Sequence, residues 1–246
     1  MEAVSLLTVS TLKPKRSRVC LHQKHPASRT LARKIIWRWK QEGSVDGKDA
    51  CVECASLIQI LSRKRMPLVA QKLFLEMKSE GFQPDYSTLS ALMLCYADNG
   101  LFPQAQAIWD EILNSSFMPD IQIVSELIDA YGKMGHFDEV TRILHQVSSR
   151  YFNLTPAVCS LAISFFGKRG QLDMMENALK ELASSGFLVD SATGNALIRY
   201  YSIFGSLTEM EAAYGRLKRS RILIEREGIR AMAFAVYKRK KVLQIG

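Results

Sequence analysis

The sequence predicts an all-α fold, a right-handed α-solenoid superhelix of about five 35-residue helix-turn-helix repeats with N- and C-terminal capping helices. Three observations carry this. Pro84-Asp85 and Pro119-Asp120 lie 35 residues apart, a period of the length that marks repeat architectures. Gly100, Gly135, Gly170 and Gly205 follow one another at the same interval, each just after a helical pattern, where a chain leaving a helix in the left-handed conformation needs glycine. Apolar residues recur in the same register. Leu57, Leu92, Leu127 and Leu197, with Ala162, form one column on the first helix of each unit, and Ile58, Met93, Ile128, Ile163 and Ile198 form the next. On the second helix the columns are Leu73, Ile108, Ile143, Ala178, Ala213, then Phe74, Trp109, Leu144, Leu179, Tyr214, then Met77, Ile112, Val147, Leu182, Leu217. Three- and four-residue spacing within a unit puts these on one face per helix, and only stacked neighbours can bury that face.

Taken in order, residues 1–28 hold one acid, Glu2, against Lys13, Lys15, Arg16, Arg18 and Lys24, with several Ser and Thr. This composition suits an organellar transit peptide; the alternative is a basic tail that is never removed. Residues 29–50 read as a basic capping helix and linker, with Leu31, Ile35 and Trp39 on one face and Trp37 pointing elsewhere. One of the two tryptophans is therefore expected at the surface among cations, where it serves either a base or partner contact or simply a cap with snorkelling Lys and Arg stems. Five units follow, 51–85, 86–120, 121–155, 156–190 and 191–225. The first has Arg65 in place of the turn glycine, and Pro67 and Pro103 stand where second helices begin and a missing N–H costs nothing. The third ends in Asn153-Leu154-Thr155 and lacks the Pro-Asp close. Residues 226–246 read as a C-terminal capping helix and a basic tail.

The net charge of +9 is unevenly spread. Residues 1–50 carry +7 and 216–246 carry +8, while 51–215 carry −6. Phosphate contacts are therefore expected at the two ends or on one face, not along a uniformly basic groove. Five cysteines, few, odd in number and mostly on helical faces, point to a reducing compartment. No apolar run reaches the roughly 18 residues of a membrane span. Catalytic signals are weak. Cys51-x-x-Cys54 is a lone pair without a histidine, which speaks against zinc, and neither His136 nor His145 is followed by the His-x-Glu pattern of zinc deaminases. Phosphate-cradling loops and elbow nucleophiles are also missing, so no metal, cofactor or enzymatic role is expected.

GFQPDYSTLSALMLCYADNG and IVSELIDAYGKMGHFDEV resemble the pentatricopeptide repeat (PPR) family, whose 35-residue unit ends in Gly-aliphatic-x-Pro-Asp, and the likeness covers 51–225. Tetratricopeptide repeats have a 34-residue period and a Trp-Leu-Gly-Tyr pattern that is absent here. The short chain with a basic Trp-containing helix in front also resembles the small thylakoid-assembly type of plant organelle PPR protein. That resemblance implies RNA processing such as group II intron splicing, in the chloroplast or alternatively the mitochondrion. It further implies that the fifth and last residues of each unit contact one base of single-stranded RNA. The pairs are Ala55 with Asp85, Ser90 with Asp120, Ser125 with Thr155, Ser160 with Asp190, and Asn195 with Glu225. A small hydroxyl with Asp resembles the guanine-favouring combination, so units two and four look most like readers. The second position, which clamps the base, is Val52, Ser87, Gln122, Ala157 and Ala192. Five bases recur by chance about once per 1,000 nucleotides, so the chain is expected to act as a homodimer or beside other splicing factors. The alternative is a protein-interaction solenoid in an organellar ribonucleoprotein, its acidic middle against a basic partner.

Overall fold

The structure, a computed structural model, describes residues 34, 37, 38, 47–219, 221 and 223–243. The segment 1–28, Trp39 and most of the expected N-terminal capping helix lie outside the described residues. Of that region, Trp37 is 63% exposed and Arg38 pairs with Glu53.

Eleven helices are described: α1 Gly47–Arg63, α2 Pro67–Ser79, α3 Tyr86–Asp98, α4 Phe102–Asn114, α5 Ile121–Lys133, α6 Phe137–Arg150, α7 Thr155–Lys168, α8 Leu172–Ser184, α9 Ser191–Phe204, α10 Leu207–Arg219 and α11 Arg226–Leu243. The first ten form five antiparallel pairs. Successive first helices touch, α1 to α3, α3 to α5, α5 to α7, α7 to α9 and then α9 to α11, whereas successive second helices show no comparably close contact among the described residues. The closer spacing puts the first helices on the inside of the curve. The α-solenoid expected from the sequence is thus the observed architecture. Ile58, Met93, Ile128, Ile163 and Ile198 are each wholly buried, so one column of the repeat is a continuous seam of core.

Local chemistry sets the ends of the helices. Asp85, Asp120 and Asp190 cap α3, α5 and α9, accepting from the backbone N–H of Thr88 (2.8 Å), Gln122 (2.6 Å) and Thr193 (2.7 Å). The third unit, without an aspartate, enters α7 through a 3-10 turn at Phe152–Leu154, with no side-chain cap and a proline in the first turn. At the opposite end of α3, Gly100 has φ 75° and donates to the Ala97 carbonyl while Leu101 N–H reaches back to Tyr96, closing the last turn. A side chain at Gly100 would meet nothing within 4 Å, so any penalty there comes from the backbone alone. Gly100→Ala is expected to lower stability by about 1 kcal/mol in urea unfolding; an unchanged midpoint would show that the turn does not constrain this position.

Two positions depart from the expected column. Arg65 takes φ 57° without being glycine, and its guanidinium donates to the Asp98 carbonyl of the next unit (3.1 Å), an interaction glycine cannot make. Gly205, expected left-handed, is extended with φ −87° and ψ 177°. The cause lies just downstream. Ser206 Oγ accepts from Glu209 N–H while the Glu209 carboxylate accepts from Ser206 N–H, a reciprocal capping box that draws the chain straight into α10. Glycine at 205 serves space instead, since a Cβ would lie 3.0 Å from Tyr201 ring and carbonyl atoms.

Candidate nucleic-acid interface

The opening turns of α3, α5, α7 and α9 and the second turn of α1 carry the second-position residues Ser87, Gln122, Ala157, Ala192 and Val52, and all five are exposed. Apart from Gln122 they are short, so a flat ring can approach the backbone beneath them. The fifth positions sit one turn further in. Ala55 and Ser90 are buried, at 7% and 3% exposed, while Ser125, Ser160 and Asn195 are half-buried.

Folding brings several fifth and last residues together across about thirty residues of chain. In the fifth unit the Glu225 N–H donates to the Asn195 side-chain oxygen at 2.8 Å, and the Asn195 amide donates to the carbonyls of Ser191 (2.8 Å) and Leu223 (3.0 Å). Asn195 is thereby fully engaged within the chain. In the fourth, Ser160 Oγ accepts from the Thr193 hydroxyl (3.0 Å) and Asp190 from the Thr193 N–H, so both meet on one residue. In the second, Asp120 N–H donates to the Tyr86 hydroxyl at 2.7 Å, one turn before Ser90. Ser90 Oγ is itself buried without a well-formed hydrogen bond, although its dipole acts on the Tyr86 hydroxyl. In the first, Thr88 Oγ1 bridges the Asp85 carboxylate (2.7 Å) to the Cys51 carbonyl (3.3 Å). The third unit differs. Thr155 is 2% exposed with its hydroxyl towards the Ser148 carbonyl (3.5 Å), which leaves Ser125 as the more accessible member of that pair.

The electrostatics of Asp85 follow from this geometry. Burial opposes its charge, but hydrogen bonds from the Thr88 N–H, the Thr88 hydroxyl and the Ser87 hydroxyl outweigh that and hold its pKa below the usual 3.8. A depressed carboxylate pKa contributes stability that is present above the unfolded value and lost as pH falls through the folded one. The stability difference between the protein and Asp85→Asn is therefore expected to shrink on acidification below about pH 4, read from denaturation midpoints at pH 7 and pH 3. A constant difference would contradict it. Burial pushes the thiols of Cys54 and Cys159 up to about 12 and that of Cys95 to about 11, with nearby Cys51 and Asp85 adding to the effect at Cys54. Protonated thiols of this kind are inert. Among the described residues no three or more His, Cys, Asp or Glu converge, and no helix is long and apolar enough to cross a membrane.

Reading of the sequence did not single out Lys133 and Lys168. Arg63, Lys133 and Lys168 occupy the same place in the last turns of α1, α5 and α7, and all are exposed. They favour the helix C-termini; in the second unit the same place holds the exposed Asp98, so positive charge along this edge of the first-helix layer is interrupted there. The 35-residue spacing of Lys133 and Lys168 was the available signal; summing charge over the middle of the chain hides it beneath the acids there.

The PPR repeat family profile matches residues 54–82, 87–117 and 125–152. Among solved structures the chain is similar to the pentatricopeptide repeat protein PPR10 from maize, at 18% identity over 89% of this chain and 35% of that one, with a TM-score of 0.57. It is also similar to PPR10 in complex with an 18-nt psaJ RNA element, at 20% identity over 92% and 33%, with a TM-score of 0.55. The chain spans about a third of the length of the structures it matches, and at these identities the likeness is one of fold. No curated protein sequence matches it.

Proposed function

We propose, starting from a chain that belongs to the pentatricopeptide repeat family, that it binds single-stranded RNA along the layer of first helices. The observation that carries this reading is the convergence of Ser160 and Asp190 on Thr193, beside the exposed Ala157 and Ala192. Acceptors there suit the edge of a base, while the short second-position side chains leave room for its face between neighbouring units. Asp190 offers two carboxylate oxygens, which suit the N1–H and amino group of guanine. In the second unit Asp120 is exposed and offers the same acceptors, whereas Ser90 is buried. The cations Arg63, Lys133 and Lys168 along the edge supply phosphate contacts, and the complex of PPR10 with RNA on a similar fold supports the assignment.

The finer reading is an organellar factor for intron-containing transcripts, aiding group II intron splicing in the chloroplast or alternatively the mitochondrion. Reading about five bases, the chain reaches a unique site as a homodimer or beside other splicing factors.

Asp190→Asn tests base reading without removing the helix cap, because Asn caps as well as Asp. The amide presents one donor and one acceptor, which suits adenine better than guanine. The expected result, from selection on a randomised RNA pool followed by competition binding, is a shift from guanine towards adenine at one position, about 5- to 100-fold in relative affinity. Identical preferences in the two proteins would sink the assignment, and absence of RNA affinity in both would favour the protein-interaction solenoid.

A further inference from the structure

In the first three units one second-helix column holds Leu73, Ile108 and Ile143; in the last two it holds Ala178 and Ala213. Trading large for small side chains leaves space unless the backbone closes over it. Here it does not. A cleft of about 350 Å³ opens between α8, the following loop and α10, walled by Leu179, Phe187, Leu197, Ala213 and Leu217. Leu188 extends the apolar wall onto the rim, where it is 88% exposed. Among the described residues the polar side chains lining the cleft are Arg216 and Arg219, both exposed. Arg216 bonds to Glu176 at 3.0 Å, while Arg219 has no ion-pair partner among the described residues.

The volume lies at the small end of the roughly 300–1,000 Å³ range of ligand sites. Apart from these two arginines the described lining is apolar, so an apolar body suits the cleft. With Arg216 bonded to Glu176, it is the Arg219 guanidinium that favours a carboxylate or phosphate at the mouth, where a fork of donors matches a pair of oxygens. We propose that this cleft binds a medium-length aliphatic chain ending in an anion, at a site separate from the first-helix surface. A free fatty acid and an anionic lipid share this chemistry.

Laurate titrated into the full chain by calorimetry, below its micellar concentration, tests the free form, and vesicles of phosphatidylcholine with or without phosphatidylglycerol test the lipid. Ala213→Leu installs the side chain the first unit already uses at Leu73, so it should fold, melt at or above the temperature of the parent protein, and lose at least tenfold in affinity for whichever form binds. Arg219→Gln should weaken laurate several-fold and leave dodecanol unchanged. Saturable laurate binding that Ala213→Leu removes assigns a free acid; vesicle binding that requires phosphatidylglycerol and is removed by the same variant assigns a lipid. Binding that Ala213→Leu leaves intact, or no binding of either form, overturns the proposal.

Discussion

Gly167→Ala is expected to destabilise the protein by about 2–3 kcal/mol, although alanine is ordinarily the better helix former by about 1 kcal/mol. Gly167 lies inside α7 with ordinary helical geometry, so conformational freedom does not explain it. A Cβ there would stand 2.1, 2.5 and 2.7 Å from three ring carbons of Tyr200 on α9. Tyr200 is 3% exposed, and its ring has little room to retreat. Gly132 on α5 has the same relation to Phe165 on α7, at 2.3 Å. Phe165 is further held by the Arg169 guanidinium 3.7 Å above its ring, and Arg169 is itself bonded to Asp129 (3.0 Å) and the Phe165 carbonyl (3.1 Å). These two glycines let an aromatic ring of the next unit lie directly on the helix, which sets the spacing of the inner layer there. A double-mutant cycle with Tyr200→Leu should show Gly167→Ala losing most of its cost when the ring is shortened. Additive effects would mean the contact does not limit the approach.

Trp109→Ala is expected to cost about 3–5 kcal/mol. Trp109 is 1% exposed on α4, and its indole N–H donates to the Gln146 side-chain oxygen on α6 at 2.9 Å, joining the second helices of adjacent units. Because units in a repeat array are coupled only to their neighbours, weakening this junction should do more than lower the midpoint. The unfolding transition should broaden as the first two helix pairs melt apart from the rest. Trp109→Phe keeps much of the volume and loses the hydrogen bond, for a cost nearer 1 kcal/mol. A Trp109→Ala protein with an unchanged, sharp transition would contradict this.

The repeat was legible in the sequence because its period is repeated in backbone conformation: Gly100, Gly135 and Gly170 each have positive φ where the pattern placed a helix end. Gly205 shows the limit of reading by column. The residue recurs, but Ser206 and Glu209 after it impose a different entry into the next helix, and that S-x-x-E signal was readable in its own right. Gly132 and Gly167 share a column with Ala97, and a run of small residues in mid-helix at a fixed period signals close approach. It was obscured by the apolar columns on the same helices. The candidate site was legible in position more than in state. Asp85, Asp120 and Asp190 were read by their side chains alone, whereas each also holds a helix N-terminus, so replacing any by alanine perturbs folding and binding together. The degree of burial of Ser90 and Thr155, and the internal bonds of Asn195, depend on neighbouring units and on the loop before α11, which no single unit reveals.

The claim that RNA lies along the first helices is tested most directly by photo-crosslinking. A short single-stranded RNA carrying 4-thiouridine, bound to the full chain at moderate salt, is irradiated and the crosslinked peptides are identified by mass spectrometry. The expected crosslinks fall in the opening turns of α3, α5, α7 and α9, around Ser87, Gln122, Ala157 and Ala192. Crosslinks confined to the basic segments 1–50 and 216–246 would instead show attraction by charge alone, and would contradict an RNA path along the repeats.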